Sequence, residues 1–353
     1  MKILFSTYPL AFQNPGGGEQ VFKATRSHLQ TMGIQVDTYD VWKHTPENLH
    51  DYQIIHYFSC IQPSFWKFVK THCPKTPLVV TPIFFREKKF LKSFSEWQRK
   101  LTLQMTKQND PFTFPDYWLP ATQTELQSLR NSYQIKSEKM SVLPHGVEDL
   151  FKKATPNIFQ NEFKINESFI LHVGRFHPVK NQLTLIQAMS KFKSYGIFIG
   201  SPDIGQEEYY FKCKKLAAEV ETKTFGKTRF LFIPRLNHEN PLLASAYAAA
   251  DIFILPSHFE TFGLCAFEAQ LAGAKLVLSN KMLTASIFKD CAFFVDPNRS
   301  EQIAFTLQEA LKAPKNPKNS FFLKKYAWNS LCRDLLEIYQ SITLNSQQGF
   351  KKC

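Results

Sequence analysis

The sequence predicts an α/β fold built as two Rossmann-like, doubly wound domains. Short apolar runs alternate with helical patterns along nearly the whole chain. The runs are almost continuously hydrophobic, as strands buried on both faces of a parallel sheet are. The rhythm stops at a polar stretch, Lys152–Glu167, and then restarts. With 353 residues, 44% of them apolar, the chain is long enough for two domains that each bury a core.

The first half opens on an apolar run, Ile3–Ser6, read as a buried first strand. It is too short, and too soon interrupted by Pro9, for a secretory leader. Gly16, Gly17 and Gly18 read as a loop, and Glu19–Met32 as a helix with Val21, Ala24 and Leu29 inward, ended by Gly33. Strands follow at Gln35–Tyr39, Ile54–Phe58 and Leu78–Thr81.

The second half resumes with a strand at Phe169–Gly174, a helix at Gln182–Lys191 and a strand at Ile197–Gly200. A charged helix Glu207–Glu221, a strand Thr228–Ile233 and an Ala-rich helix Leu242–Ala250 come next. The strand Ile252–Leu255, the helix Phe262–Ala272 and the strand Lys275–Ser279 complete the pattern. A basic, Pro-containing connector, Pro314–Asn319, precedes a last helix at Tyr326–Ile342. The expected division is residues 1–160, 161–325 and a C-terminal helix within 326–353, with a linker near 152–166.

Seven cysteines are scattered singly without a CxxC pair, which argues against a disulfide framework or a zinc site and suits a reducing cytosol. No run approaches the roughly 18 apolar residues of a membrane span. The net charge of +13 asks for an acidic partner, and nucleotide phosphates or an anionic membrane surface would both supply one. The basic aromatic stretch Phe84–Lys92, followed by Trp97, Tyr117 and Trp118, suits lipid headgroups; it equally suits a solvated basic face over a buried Phe stripe. No nucleic-acid recognition module is present, so nucleic acid is not an expected partner.

Two segments carry chemistry. In Val173-Gly174-Arg175-Phe176-His177-Pro178-Val179-Lys180-Asn181, two cations five residues apart follow a strand, the place where open α/β sheets bind ligands. Arg175 offers a planar fork to phosphate and Lys180 a mobile point charge; a solvated basic loop is the alternative. In the second, a strand ends at Pro256-Ser257 and a helix begins near Phe262 and Gly263, where backbone N–H groups and the positive helix end suit a diphosphate. Leu264, Phe267 and Leu271 form a core stripe. Glu268 falls on another edge, either accepting sugar hydroxyls or standing as a solvated charge, and Glu260 sits before the helix.

The Gly-Arg-Phe…Lys-Asn segment, the Pro-Ser, and Glu260 and Glu268 with seven residues between them resemble the retaining glycosyltransferases of the GT-B class, family 4. The glycine loop Gly16–Gly18 with Glu19, the segment Leu143-Pro144-His145-Gly146-Val147 and Tyr326-Ala327-Trp328 extend the resemblance over nearly the whole chain. It implies two domains facing across a cleft, an N-terminal acceptor side, a C-terminal nucleotide-sugar side, and a last helix crossing back to the first domain. By the same resemblance, Arg175 and Lys180 would hold the donor diphosphate, with amides near Phe262, Gly263 and Leu264. Glu268 would bind the ribose, Glu260 would lie against the transferred sugar, and the base would lie near Pro234–Leu236, including Arg235. Gly16, Gly17, Gly18 and His145 would serve substrate binding from the other domain.

The implied reaction transfers a sugar with retention of configuration to a glycan or lipid-linked acceptor. It needs no metal and no cofactor beyond the nucleotide-sugar co-substrate, and the sequence has no Asp-x-Asp pair to hold a divalent ion. Cell envelope polysaccharide assembly, in the cytoplasm or peripherally at the inner face of the membrane, is the family expectation. One departure stands out: the stretch Val79–Phe85 lacks the histidine many relatives carry there, leaving His56 and Arg86 as substitutes. That gap keeps a second expectation open, a non-catalytic nucleotide- or sugar-binding relative.

Overall fold

The computed structural model describes residues 1–13, 15–60, 64–83, 111–315 and 325–349. The stretch 84–92, with Arg86, as well as Trp97 and connector residues 316–319, lies outside them. The chain divides into two compact units, residues 1–146 with 328–353, and residues 147–327.

Unit 1 holds β1 (Lys2–Thr7), α1 (Gly17–Thr31), β2 (Gln35–Thr38), β3 (Ile54–Phe58), α2 (Ser64–His72), β4 (Leu78–Thr81), β5 (Tyr117–Trp118) and α3 (Gln123–Tyr133). Its parallel sheet runs β2-β1-β3-β4-β5, with every residue of β3 and β4 buried. Gly17 and Gly18 are not loop residues as expected but the first turn of α1. The physical reason is Glu19, whose carboxylate accepts from the Gly16 amide (2.6 Å) and from Tyr8 Oη (2.8 Å), so that Gly16 becomes the cap.

Unit 2 holds α4 (Asp149–Lys153), α5 (Asn157–Phe163), β6 (Ile170–Val173), α6 (Gln182–Met189), β7 (Ser194–Ile199), α7 (Glu207–Lys223), β8 (Thr228–Ile233), α8 (Pro241–Ala249), β9 (Ile252–Leu255), α9 (Leu264–Ala272), β10 (Lys275–Ser279), β11 (Ala292–Val295) and α10 (Ser300–Lys312). Its six parallel strands run β11-β10-β9-β6-β7-β8. One core gathers Ile170, Leu185, Phe198, Ile252, Val277 and Leu307 from strands and helices alike.

The polar stretch expected as a linker is folded. It carries the end of α4 and all of α5, and Ser245 on α8 stitches it down, accepting from Phe159 N (2.9 Å) and donating to Thr155 O (2.6 Å). Residues 147–160, expected with the first domain, therefore pack in the second. Polar faces on short helices hide this, because only Phe151 and Phe159 are buried there.

The last helix, α11 (Trp328–Gly349), packs on α1 in unit 1. No described helix is long and apolar enough to cross a membrane.

Candidate active site

In unit 2 the chain winds from β6 outward through β7 to β8, then returns to lay β9 on the other side of β6. Loops leaving the carboxyl ends of β6 and β9 therefore diverge, opening the crevice where doubly wound sheets take ligands. Both chemistry-bearing segments of the sequence are these two loops. They are tied together: His258 N donates to Val179 O (2.8 Å), and Asn181 Nδ2 donates to Pro256 O (3.1 Å) and Pro297 O (2.7 Å). Asn181 takes the left-handed region (φ 64°) to turn the β6 loop into α6, a conformation asparagine tolerates. Gly200 is needed alongside, because a Cβ there would lie 2.0 Å from Gly174 O.

The lock sets Lys180 Nζ 2.5 Å from Glu260 Oε2, with both side chains mostly covered (20% and 13% exposed). Burial alone would lower the Lys180 pKa. The Glu260 carboxylate outweighs it, with Cys265 adding to the same side, and the pKa ends above the ordinary lysine value. The Glu260 backbone is fixed by Leu283 N donating to its carbonyl (3.0 Å). Arg175 pairs with Asp203 Oδ1 (3.0 Å) and keeps 40% of its side chain exposed. Burial raises the Cys265 thiol, which sits beside Glu260 and Lys180, so it is an inert neighbour.

The helix α9 starts at Leu264, two residues later than expected, because Gly263 occupies the left-handed region (φ 76°) and caps it. A Cβ on Gly263 would meet Met282 Cε at 2.6 Å and Glu260 Cγ at 3.1 Å. Phe262 stacks on Phe267 (4.6 Å), and Thr284 Oγ1 donates to Phe262 O (2.8 Å). The first N–H groups of a helix lack partners one turn back; here Ala266 N donates to Gly263 O (2.9 Å), and the Gly263 cap lies against Glu260.

Glu268 is neither the solvated charge nor an open edge residue. It is buried because α9 is covered nearly all round, from Ala266 to Ala272, by α4, α8 and β10. His238 Nε2 donates to its Oε1 (2.7 Å) and Tyr247 Oη to its Oε2 (2.8 Å). Burial pushes the His238 pKa down, but Glu268 overrides it, helped by Glu148 and Glu239, and the net shift is upward. Nothing in the sequence pattern marks His238, Tyr247, Asp203 or the structural part of Asn181, beyond the place of His238 five residues past β8, at the edge that also holds Arg235. Arg235 itself is exposed, its N–H donating to Ser201 Oγ (3.2 Å).

In unit 1 the expected residues are not brought together. Gly16, Gly17 and Gly18 begin α1, where a Cβ on Gly18 would meet Ile83 Cδ1 at 3.0 Å. His145 is buried, lining a small cavity with His56, Thr25 on α1, and Trp328 and Leu335 on α11. Gly146 exists for Trp328, whose ring would lie 2.3 Å from a Cβ there. His56 contradicts its candidacy as an accessible catalytic substitute. It is 1% exposed, held between Tyr339 Oη (2.5 Å) and Thr81 Oγ1 (2.9 Å), and burial lowers its pKa to about 3.

Residues 154–324 match the family described as glycosyl transferases group 1. This segment resembles the group 1 glycosyl transferases. It contains Arg175, Lys180, Arg235, Glu260, Gly263 and Glu268 and spans nearly all of unit 2. Among curated proteins, the chain is 26% identical over 231 residues to the D-inositol 3-phosphate glycosyltransferase of Mycobacteroides abscessus, covering 62% of this chain and 50% of that protein. It is 24% identical over 210 residues to the mannosylfructose-phosphate synthase of Agrobacterium fabrum, covering 56% and 45%. The chain thus spans half or less of the length of these relatives. Among solved structures, Anabaena Alr3699/HepE in complex with UDP and glucose superposes with a TM-score of 0.75 at 16% identity, covering 97% of this chain and all of that one. WaaG, a glycosyltransferase involved in lipopolysaccharide biosynthesis, gives 0.60 at 16% identity, covering 98% of each chain. The group 1 segment and its companion unit have the GT-B fold of these proteins.

Proposed function

We propose that the chain is a retaining glycosyltransferase, moving a sugar from a nucleotide-diphosphate sugar to a glycan, glycolipid or similar acceptor. The observation that carries this reading is the Lys180–Glu260 pair, seated where β6 and β9 diverge and beside the start of α9. A nucleoside diphosphate brings anionic oxygens that a lysine, an arginine and a helix N-terminus all favour. The UDP held by the similar Anabaena protein supports the same donor class.

In this reading Lys180 and Arg175 bind the diphosphate and stabilise the charge it gains as it leaves. Phe262, Gly263 and Leu264 offer backbone amides to the remaining oxygens. Glu260, restrained by Lys180, lies against the sugar, and the acceptor attacks the anomeric carbon on the face the diphosphate departs, through an oxocarbenium-like state. Catalysis then comes from positioning and preorganised charge, with no metal required. Arg235 lies by the base and Glu268 by the ribose, while Gly16–Gly18 at the start of α1 serve substrate binding in unit 1; His145, buried beside His56, does not. A lipid-linked acceptor would bring this chain, of net charge +13, to the anionic inner face of a membrane.

A second reading, a nucleotide-binding relative without turnover, is favoured by one observation. The stretch after β4 has no histidine, and the substitute His56 is walled in. The experiment supplies UDP-, GDP- and ADP-sugars with candidate acceptors and follows nucleoside diphosphate release and the anomeric configuration of the product. Release with retained configuration, abolished in Lys180→Ala, supports the transferase; binding without release on any acceptor supports the second reading.

A further inference from the structure

Resting on the reading that Glu268 faces the donor ribose, we propose that His238 is the positioning residue that makes this carboxylate selective for the ribose diol, with Tyr247 as its counterpart. A carboxylate has about four lone-pair sites. His238 takes one on Oε1 and Tyr247 one on Oε2, which leaves one on each oxygen, spaced to accept from two adjacent hydroxyls. Held from both sides, the carboxyl plane cannot rotate, so a diol meets a preset pair of acceptors.

The holders are themselves fixed. Tyr247 is fully buried on α8, with its ring against Phe253 on β9 and Phe151 on α4. The His238 ring packs edge-on against Phe151 at 5.3 Å, and the carboxylates Glu148 and Glu239 join Glu268 in favouring its charged form. His238 keeps 20% of its side chain open and Glu268 only 6%. The carboxylate thus shows little more than the edge a ligand would use, while His238 stands at its mouth. Among the described residues, these two supply the side-chain hydrogen bonds to the Glu268 carboxylate, so deleting one holder frees the plane.

The experiment measures dissociation constants of UDP, GDP and ADP, takes the tightest, and compares it with its 2′,3′-dideoxy form. Wild-type protein should prefer the ribonucleotide by about tenfold or more, the scale of charge-assisted hydrogen bonds to one diol. His238→Phe should bring the two close to equal while leaving the dideoxynucleotide affinity unchanged. His238→Gln, which restores a donor, should recover part of the preference, and Tyr247→Phe should halve it or more. An equal loss for both nucleotides in His238→Phe would make the residue merely structural and overturn the proposal. Glu268→Gln separates the two levels. If it abolishes the preference and His238→Phe does not, the His238 proposal fails alone. If Glu268→Gln keeps the preference, or no nucleotide binds, the ribose reading fails with it.

Discussion

Lys180 Nζ lies 2.5 Å from Glu260 Oε2, although eighty residues separate the two along the chain. The contact exists because the β6 and β9 loops leave neighbouring strands and are stitched by Asn181 and His258. The pair is mostly covered yet not sealed, and a covered ion pair by itself is weak evidence for stability.

Lys180→Ala should lower turnover about 100-fold or more, the scale of losing one preorganised charge at a reacting centre. It should also destabilise unit 2 by about 1–3 kcal/mol, because Glu260 is left without its partner. Adding Glu260→Gln should restore stability and not turnover. Steady-state kinetics and denaturant melts on the single and double variants separate the two effects.

Gly200→Ala should cost about 3 kcal/mol or more, since its Cβ would sit 2.0 Å from Gly174 O and push the Arg175 loop off β7. Gly33→Ala, at φ 80° with nothing within 4 Å, should cost only about 1 kcal/mol from its left-handed backbone. Comparing melting temperatures tests whether close approach or φ dominates at each site.

Three buried histidines predict acid sensitivity. Burial lowers His56 to about 3, and His145 and His172 to about 4. Each stays neutral in the fold while its unfolded counterpart takes up a proton near pH 6.5. The stability they contribute is therefore whole above that pH and lost as pH falls toward 4, by up to about 1.4 kcal/mol per pH unit for each group. Denaturation midpoints between pH 7 and 5 should show it, with a shallower slope in His56→Gln.

His238 has the opposite sign. Its pKa is raised by Glu268 against burial, so its pairing stabilises fully below the unfolded pKa and fades as pH rises through the folded value. His238→Gln should lose stability relative to wild type near pH 6 and converge with it at higher pH. A constant gap across pH would contradict a charged pair.

Most strands of unit 2 were legible because buried parallel strands are written as unbroken apolar runs, and β8, β9 and β10 fall on their expected residues. The two chemistry-bearing loops were legible for the same reason, as polar residues directly following such runs. What stayed hidden is what tertiary contact decides. Phe159 anchors α5 to α8 from a sequence that reads as linker, and Glu268 looks like a surface charge until His238 and Tyr247 close on it. His56 misled in the other direction: a strand histidine gives no hint of which layer it faces, and this one faces α11.

The most direct test of the central claim is the melting temperature of the purified chain with UDP, GDP, ADP and CMP and their common sugar conjugates. A nucleotide bound only by the folded state adds about 2.7 kcal/mol at 100 times its dissociation constant. One nucleoside diphosphate should give a clear upward shift, lost in Lys180→Ala. No shift with any of them, or a shift that survives Lys180→Ala undiminished, would contradict a donor diphosphate at the β6–β9 crevice.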